Sequence, residues 1–438
     1  MKNFQNLIKS GFLLVAMAGF FVACKKDEQP PTAGKNIAEI VSADANFSLL
    51  KKAVEKAGLG SALSSGSLTV FAPDNAAFAA SNITEATINT LTAEQLAGIL
   101  TYHVVGAKYV SASVPSSGTL PTLSGINIYP VKNNDGVSIN TVKVKAADII
   151  ATNGVIHVIE KVLMPATIKD IVVLDPNFSI LKTAVVRAGL ADAVATGSLT
   201  VFAPDNAAFA ASGLTEAAIN SLPIADLTNI LLYHVVGAAV PSSAVPATDT
   251  VNTLLTTNLY ASKNANGVFL NGISVKAADV KAANGVIHVV SKVLMPPTKT
   301  IAELVSGDND LELLLAAVVR AGLASAVSTD GKYTVFAPTD AAFASAGFPD
   351  VASINAAPVD AVASIVKAHI FGTNVFASDL INGQKVATLE PGKSLLVGTT
   401  PPSVKIDGSS NPASAIILSG VNITATNGVI HKIDRVLQ

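Results

Sequence analysis

The residues with chemical potential are few and regularly placed. Six histidines recur in pairs, His103 with His157, His234 with His288, and His369 with His431. Neutral imidazole is a common zinc ligand, but a protein zinc site needs about three or more protein ligands gathered together. The paired histidines stand 54, 54 and 62 residues apart, with no cysteine or acidic cluster near them to complete a set, so no metal and no cofactor is expected. Nucleophilic catalysis needs a serine or cysteine held against a base. The chain has no G-x-S-x-G elbow, and its single cysteine, Cys24, ends an N-terminal apolar run. Asp74 and Asp205 suit helix capping, and Thr339 fills the same place in a third copy, an exchange a catalytic acid would not tolerate. The expectation is a protein that is not an enzyme.

The histidines take their places from an internal repeat. Residues 69–73, 200–204 and 334–338 all read Thr-Val-Phe-Ala-Pro, and their phenylalanines, Phe71, Phe202 and Phe336, lie 131 and then 134 residues apart. Asn-Gly-Val-Ile-His occupies 153–157, 284–288 and 427–431. Tyr102-His103 returns as Tyr233-His234 and, altered, as Ala368-His369. A period this long exceeds the roughly 20–50 residues of stacking solenoid units, so each copy should be a self-contained domain. Domains are expected at 36–165, 166–296 and 297–438, with almost no linker between Pro165 and Ile168 or between Pro296 and Ile301.

Each copy begins with helical patterning. Phe47, Leu50, Val54 and Ala57 predict a helix over 46–57, stopped by Gly58-Leu59: the glycine suits the left-handed residue beyond a helix end, and the leucine folds back. In the second copy Asp175-Pro176 supplies a cap and a first-turn proline. Thr-Val-Phe-Ala-Pro reads as a short buried strand, followed by capped helices through Phe78, Phe209 and Phe343. A helix from about Ala93 carries Leu96, Ile99 and Leu100 toward Tyr102-His103. β-Branched runs at 126–131, 137–139 and 142–144 follow, then Ile149-Ile150, an Asn153-Gly154 turn and a strand over 155–162. Helices before antiparallel-looking strands give an α+β class rather than alternating βαβ units. The third copy adds a Pro/Gly/Ser-rich stretch at 398–412, expected as a loop. Lying farthest from the N-terminus, it is well placed to meet a partner.

In this order Thr-Val-Phe-Ala-Pro-x-x-Ala-Ala-Phe, Tyr-His, and Asn-Gly-Val-Ile-His with a following Val-Leu-x-Pro resemble the fasciclin domain. The likeness covers nearly all of residues 36–438. It implies three tandem domains, each of several helices packed on a wedge or sandwich of mainly antiparallel strands. It also implies roles in cell adhesion and extracellular matrix contact. Integrin binding proposed for animal members falls on the Tyr-His pair and on an Asp-Ile dipeptide. Here these positions are Tyr102, His103, Asp148, Ile149, Tyr233, His234 and Asp279, the last followed by Val280. The third copy departs from the pattern with Ala368 and Asn422-Ile423. The residues themselves also read as hydrogen-bonded core groups, a histidine ending an apolar helix and another inside a strand.

The first two dozen residues follow a different pattern. Lys2 and Lys9 precede an apolar run over 11–23, shorter than the roughly 20 residues of a membrane span and typical of a secretory signal. Its end, Phe21-Val22-Ala23-Cys24, resembles the lipobox at which bacterial signal peptidase cuts before a cysteine that becomes lipidated. Residues 1–23 are thus expected to be a removed signal, Cys24 the lipidation site, and 24–35 a tether. Lys25-Lys26-Asp27-Glu28 resembles signals that send lipoproteins to the outer face of the outer membrane, so the cell surface is expected, with the periplasmic face as the alternative. A lone cysteine permits no internal disulfide in the mature chain. A net charge of −2 supplies no field for nucleic acid, which is excluded as a partner. The expected partners are an extracellular protein or polysaccharide, and the membrane through the lipid anchor only. Adhesion is the first reading, and an accessory glycan- or nutrient-binding lipoprotein of an outer-membrane uptake system is the alternative. The chain has no tryptophan, so sugar stacking would fall to a small platform of Tyr109, Tyr129 and Tyr260, otherwise strand-surface residues.

Overall fold

Each copy opens on a helix whose start is set by a reciprocal cap. Asn36 Oδ1 accepts from Glu39 N at 2.9 Å while Glu39 Oε2 accepts from Asn36 N at 2.8 Å, fixing α1 (Ile37–Ala43). Thr167 with Asp170 and Thr300 with Glu303 do the same for Ile168–Leu174 and Ile301–Ser306. The computed structural model describes residues 34–325, 331–399, 402–406, 415–418 and 420–437; Cys24 and the apolar run before it lie outside them. Among the described residues no helix is long and apolar enough to cross a membrane.

The helix expected over 46–57 is divided. Asp44 caps a 3-10 turn, Ala45–Phe47, and α2 runs Ser48–Lys56. Asp175-Pro176 likewise caps the 3-10 turn Pro176–Phe178 rather than the α-helix Ser179–Arg187 behind it. The break falls at Phe47 and Phe178, which leave helical geometry and are buried in the core. The expected stop is present: Gly58 has φ +68° and Leu59 N donates to Val54 O at 3.1 Å.

The first repeated motif forms β1 (Leu68–Pro73), buried along its whole length. Asp74 Oδ1 then accepts from Ala77 N at 2.9 Å to start α3 (Asn75–Ala80), a role taken by Asp205 and Thr339 in the other copies. α4 (Glu85–Thr90) and α5 (Ala93–Tyr102) follow, and α5 leads into β2 (Val104–Val105). The wedge consists of β3 (Leu120–Pro121), β4 (Asn127–Ile128), β5 (Pro130–Asn133), β6 (Gly136–Ile139), β7 (Val142–Ala151) and β8 (Gly154–Ile159).

The main sheet runs β2-β1-β8-β7-β6-β5. Its neighbours pair antiparallel with one exception: β1 and β8, the two strands that carry the repeated motifs, pair in parallel with Phe71 opposite His157. The antiparallel appearance of the strand half thus holds for the wedge and not for its centre, while the α+β class stands. In the third copy the wedge is a separate sheet containing Ser394–Thr399 and Pro402–Ile406. Part of the stretch expected as a loop is therefore a hairpin, because register pairs Val397 with Val404 and both are buried. Residues 400–401 and 407–412 of that stretch lie outside the described ones.

Candidate functional site

Tyr102 ends α5 with 0% exposure. Its hydroxyl donates to Asn127 O at 3.1 Å and accepts from Asn140 Nδ2 at 2.6 Å, pinning the helix to the wedge. Tyr233 repeats both contacts, with Asn258 O at 3.0 Å and Asn271 Nδ2 at 2.8 Å. Burial pushes both phenols up to about 12. Ala368, buried, fills the place in the third copy.

The neighbouring histidine caps the same helix and ties it to the chain end of the domain. Leu163 N donates to His103 Nε2 at 2.8 Å, so this nitrogen carries no proton, and Nδ1–H donates to Ile99 O at 2.8 Å. His234 is held identically by Leu294 N and Ile230 O, and His369 by Leu437 N and Ile365 O. Burial lowers each of the three from 6.5 to about 4.

The second histidine of each copy carries the opposite tautomer. Asp148 N donates to His157 Nδ1 at 3.3 Å and His157 Nε2–H donates to Tyr109 O at 2.8 Å, while the ring stacks on Phe71 at 5.4 Å. His288 and His431 repeat this with Asp279 N and Val240 O, and with Asn422 N and Val375 O. Every ring nitrogen of the six is thus engaged with backbone. Among the described residues no three His, Cys, Asp or Glu side chains gather where a metal ion could sit.

Asp148 sits in an irregularity of β7 with φ +64°. Its exposed carboxylate accepts from Ser111 N at 2.8 Å and from Ser111 Oγ at 2.5 Å, and these bonds hold it below its usual range. Asp279 does the same with Ser242. Asn422 keeps the acceptor role, taking Ala377 N at 2.9 Å. Ile149 is half-buried against the helical core of its domain. The fold therefore brings Asp148 to His157 and to Ser111, whereas the Tyr102–His103 pair has a separate set of partners. A partner meeting this surface would touch the carboxylates of Asp148 and Asp279 directly, and the Tyr-His side chains only through what covers them.

Beside each helix-capping histidine lies an apolar cavity of about 20–40 Å³, lined in the first copy by Val41, Leu50, Val54 and His103. Such volumes hold a water or two and fall far short of the roughly 300–1,000 Å³ of small-molecule sites.

Larger features lie between the copies. At the first junction Tyr102, Ile128, Tyr129 and Leu163 join Ile168, Ile171, Val172 and Phe178 in one continuous core. At the second, Tyr260 stacks on Phe376 at 5.0 Å, Ser262 Oγ donates to Asp379 Oδ1 at 2.5 Å, and Asn264 Nδ2 donates to Ser378 O at 2.7 Å. Tyr129 and Tyr260, expected on strand surfaces, are 3% and 8% exposed, and Tyr109 is half-buried. The neighbouring domain covers the first two, so no open aromatic platform exists at Tyr129 or Tyr260. The one sequence signal was that both tyrosines occupy the same place in successive copies, outside the motifs.

The family described as "Fasciclin domain" matches residues 45–165, 176–296 and 309–438. Transforming growth factor-beta-induced protein ig-h3 of Sus scrofa is 28% identical over 422 residues, 94% of this chain and 59% of that protein. Periostin of Homo sapiens is 28% identical over 358 residues, 78% of this chain and 41% of that protein. The chain therefore spans less than two thirds of the length of these relatives. A solved FAS1 domain pair from the insect cell adhesion molecule fasciclin I aligns with a TM-score of 0.30 at 20% identity, covering 59% of this chain and 95% of that one.

Proposed function

Because the chain belongs to the fasciclin domain family, with three such domains in tandem, we propose that it is an adhesive lipoprotein of a bacterial cell surface, held by lipid at Cys24. Its partners are an extracellular protein or polysaccharide. The observation that carries this reading is the way the domains are joined. The first two share a core, and the second and third are locked by a ring stack and side-chain hydrogen bonds across the junction. A load-carrying adhesin gains from such joints, since a body without free linkers transmits force and presents its surface in one orientation.

Two measurements test the two halves of the proposal. The N-terminal peptide of the mature chain should begin at Cys24 and carry a lipid mass, which Cys24→Ala should remove; a parent chain with no lipid mass at Cys24 sinks the anchor. Cells lacking the chain should be retained less under shear on their own matrix, and retention equal to that of the parent cells sinks adhesion. The capture alternative is favoured by a different observation, a polar cleft at the second junction.

A further inference from the structure

The second and third domains enclose a cleft of about 480 Å³, within the size range of small-molecule sites and at the kind of place, a domain junction, where such sites concentrate. Its walls come from both domains and are mostly uncharged hydrogen-bonding groups, among them Thr250 and Asn258 from the second, Asn374 and Thr426 from the third. Among the described residues the one charged residue of the lining, Lys332, lies 3.8 Å from Asp249, so this lining brings no unbalanced charge. Asn374 Oδ1 is buried and meets no donor among the described residues. Asn374 is particular to the third copy: Lys108 and Ala239 precede the corresponding histidine-bound carbonyls of Tyr109 and Val240.

The walls are preorganised. Asn271 receives Tyr260 N at 3.0 Å and donates to the Tyr233 hydroxyl, which donates to Asn258 O, while Tyr260 is fixed against Phe376. These internal bonds hold that side of the cleft in one arrangement, so a ligand would meet it with little ordering cost.

We propose that this cleft binds a neutral, hydroxyl-rich ligand, a saccharide unit, held by Asn374 and the other amide and threonine residues that line it. Hydroxyls both donate and accept, matching a wall of amides and threonines, and a neutral ring requires no counter-charge. The proposal deepens the capture reading and rests on it, and it is independent of adhesion.

Saturation-transfer NMR on the full chain tests it with glucose, galactose, mannose, N-acetylglucosamine, maltotriose and cellotriose, against glucuronate and glutamate as charged controls. At least one neutral probe should bind saturably and the charged ones should not. Asn374→Leu should weaken that binding about tenfold or more, and Thr250→Trp, which fills the cleft from an exposed strand, should abolish it without shifting the melting temperature. Absence of saturable binding by all six neutral probes overturns the proposal, as does binding that both variants leave unchanged. A trisaccharide that binds while insoluble cellulose does not retain the protein marks the source as a free sugar; retention on cellulose as well marks it as a polymer. Cell retention of the same variants separates the two readings: binding lost with adhesion intact supports the cleft and places adhesion elsewhere. Adhesion intact with no saccharide bound overturns the cleft alone.

Discussion

The helix-capping histidines act by being neutral, and their chemistry sets a pH limit on the fold. In the unfolded chain they take up protons as pH falls through about 6.5, whereas His103, His234 and His369, together with His431, resist until about 4 when folded. Between these values the unfolded state binds more protons, so stability is fully present above pH 6.5 and declines as pH falls toward 4. Each contributes up to about 3 kcal/mol across that window. Thermal melting at pH 7.5 and at 4.5 should show a large drop in melting temperature, and a flat profile would sink this account. His103→Phe leaves Leu163 N–H and Ile99 O without their partner at a buried site. It should cost about 2–4 kcal/mol by urea unfolding, more than an ordinary surface change. Asp148→Asn should be nearly neutral, since Asn422 already performs the role in the third copy, whereas Asp148→Ala should loosen the Ser111 turn and raise its hydrogen exchange.

At the scale of elements, the parallel pairing of β1 with β8 depends on a glycine. A Cβ on Gly154 would lie 2.0 Å from Leu68 O, and the residue has φ +154°. Gly154→Ala should therefore prevent the two strands from closing and destabilise the first domain by about 4 kcal/mol or more, read as early loss of its amide protection. Protection unchanged from the parent chain would show that the strands can part at little cost. Helix caps and stops such as Asp74, Gly58 and Leu59 were legible in the sequence, because each satisfies donors or carbonyls within a few residues of itself. The 3-10 turn before α2 was not, because Phe47 leaves the helix to meet a core assembled from distant segments. Parallel pairing was equally invisible, as β-branched runs carry no mark of strand direction.

At the scale of the whole molecule, the two junctions differ in kind. The first is a shared apolar core, so the first and second domains should unfold in one calorimetric transition. The second rests on one ring stack and a few polar contacts. Tyr260→Ala should free the third domain and give it a separate, lower transition, with a larger radius of gyration by X-ray scattering. A single transition in that variant would mean that the stack does not couple the domains.

The repeat, the order of helices and strands, the caps and the fasciclin likeness were all determined by the sequence alone, because each depends on neighbours in the chain or on self-similarity. Tertiary structure decided the rest. It placed both histidines of each copy against backbone from remote segments, turned two repeated tyrosines from surface residues into junction residues, and opened a polar cleft from the walls of two domains. Residue type and spacing describe one surface at a time, whereas burial and clefts come into being only when two surfaces meet.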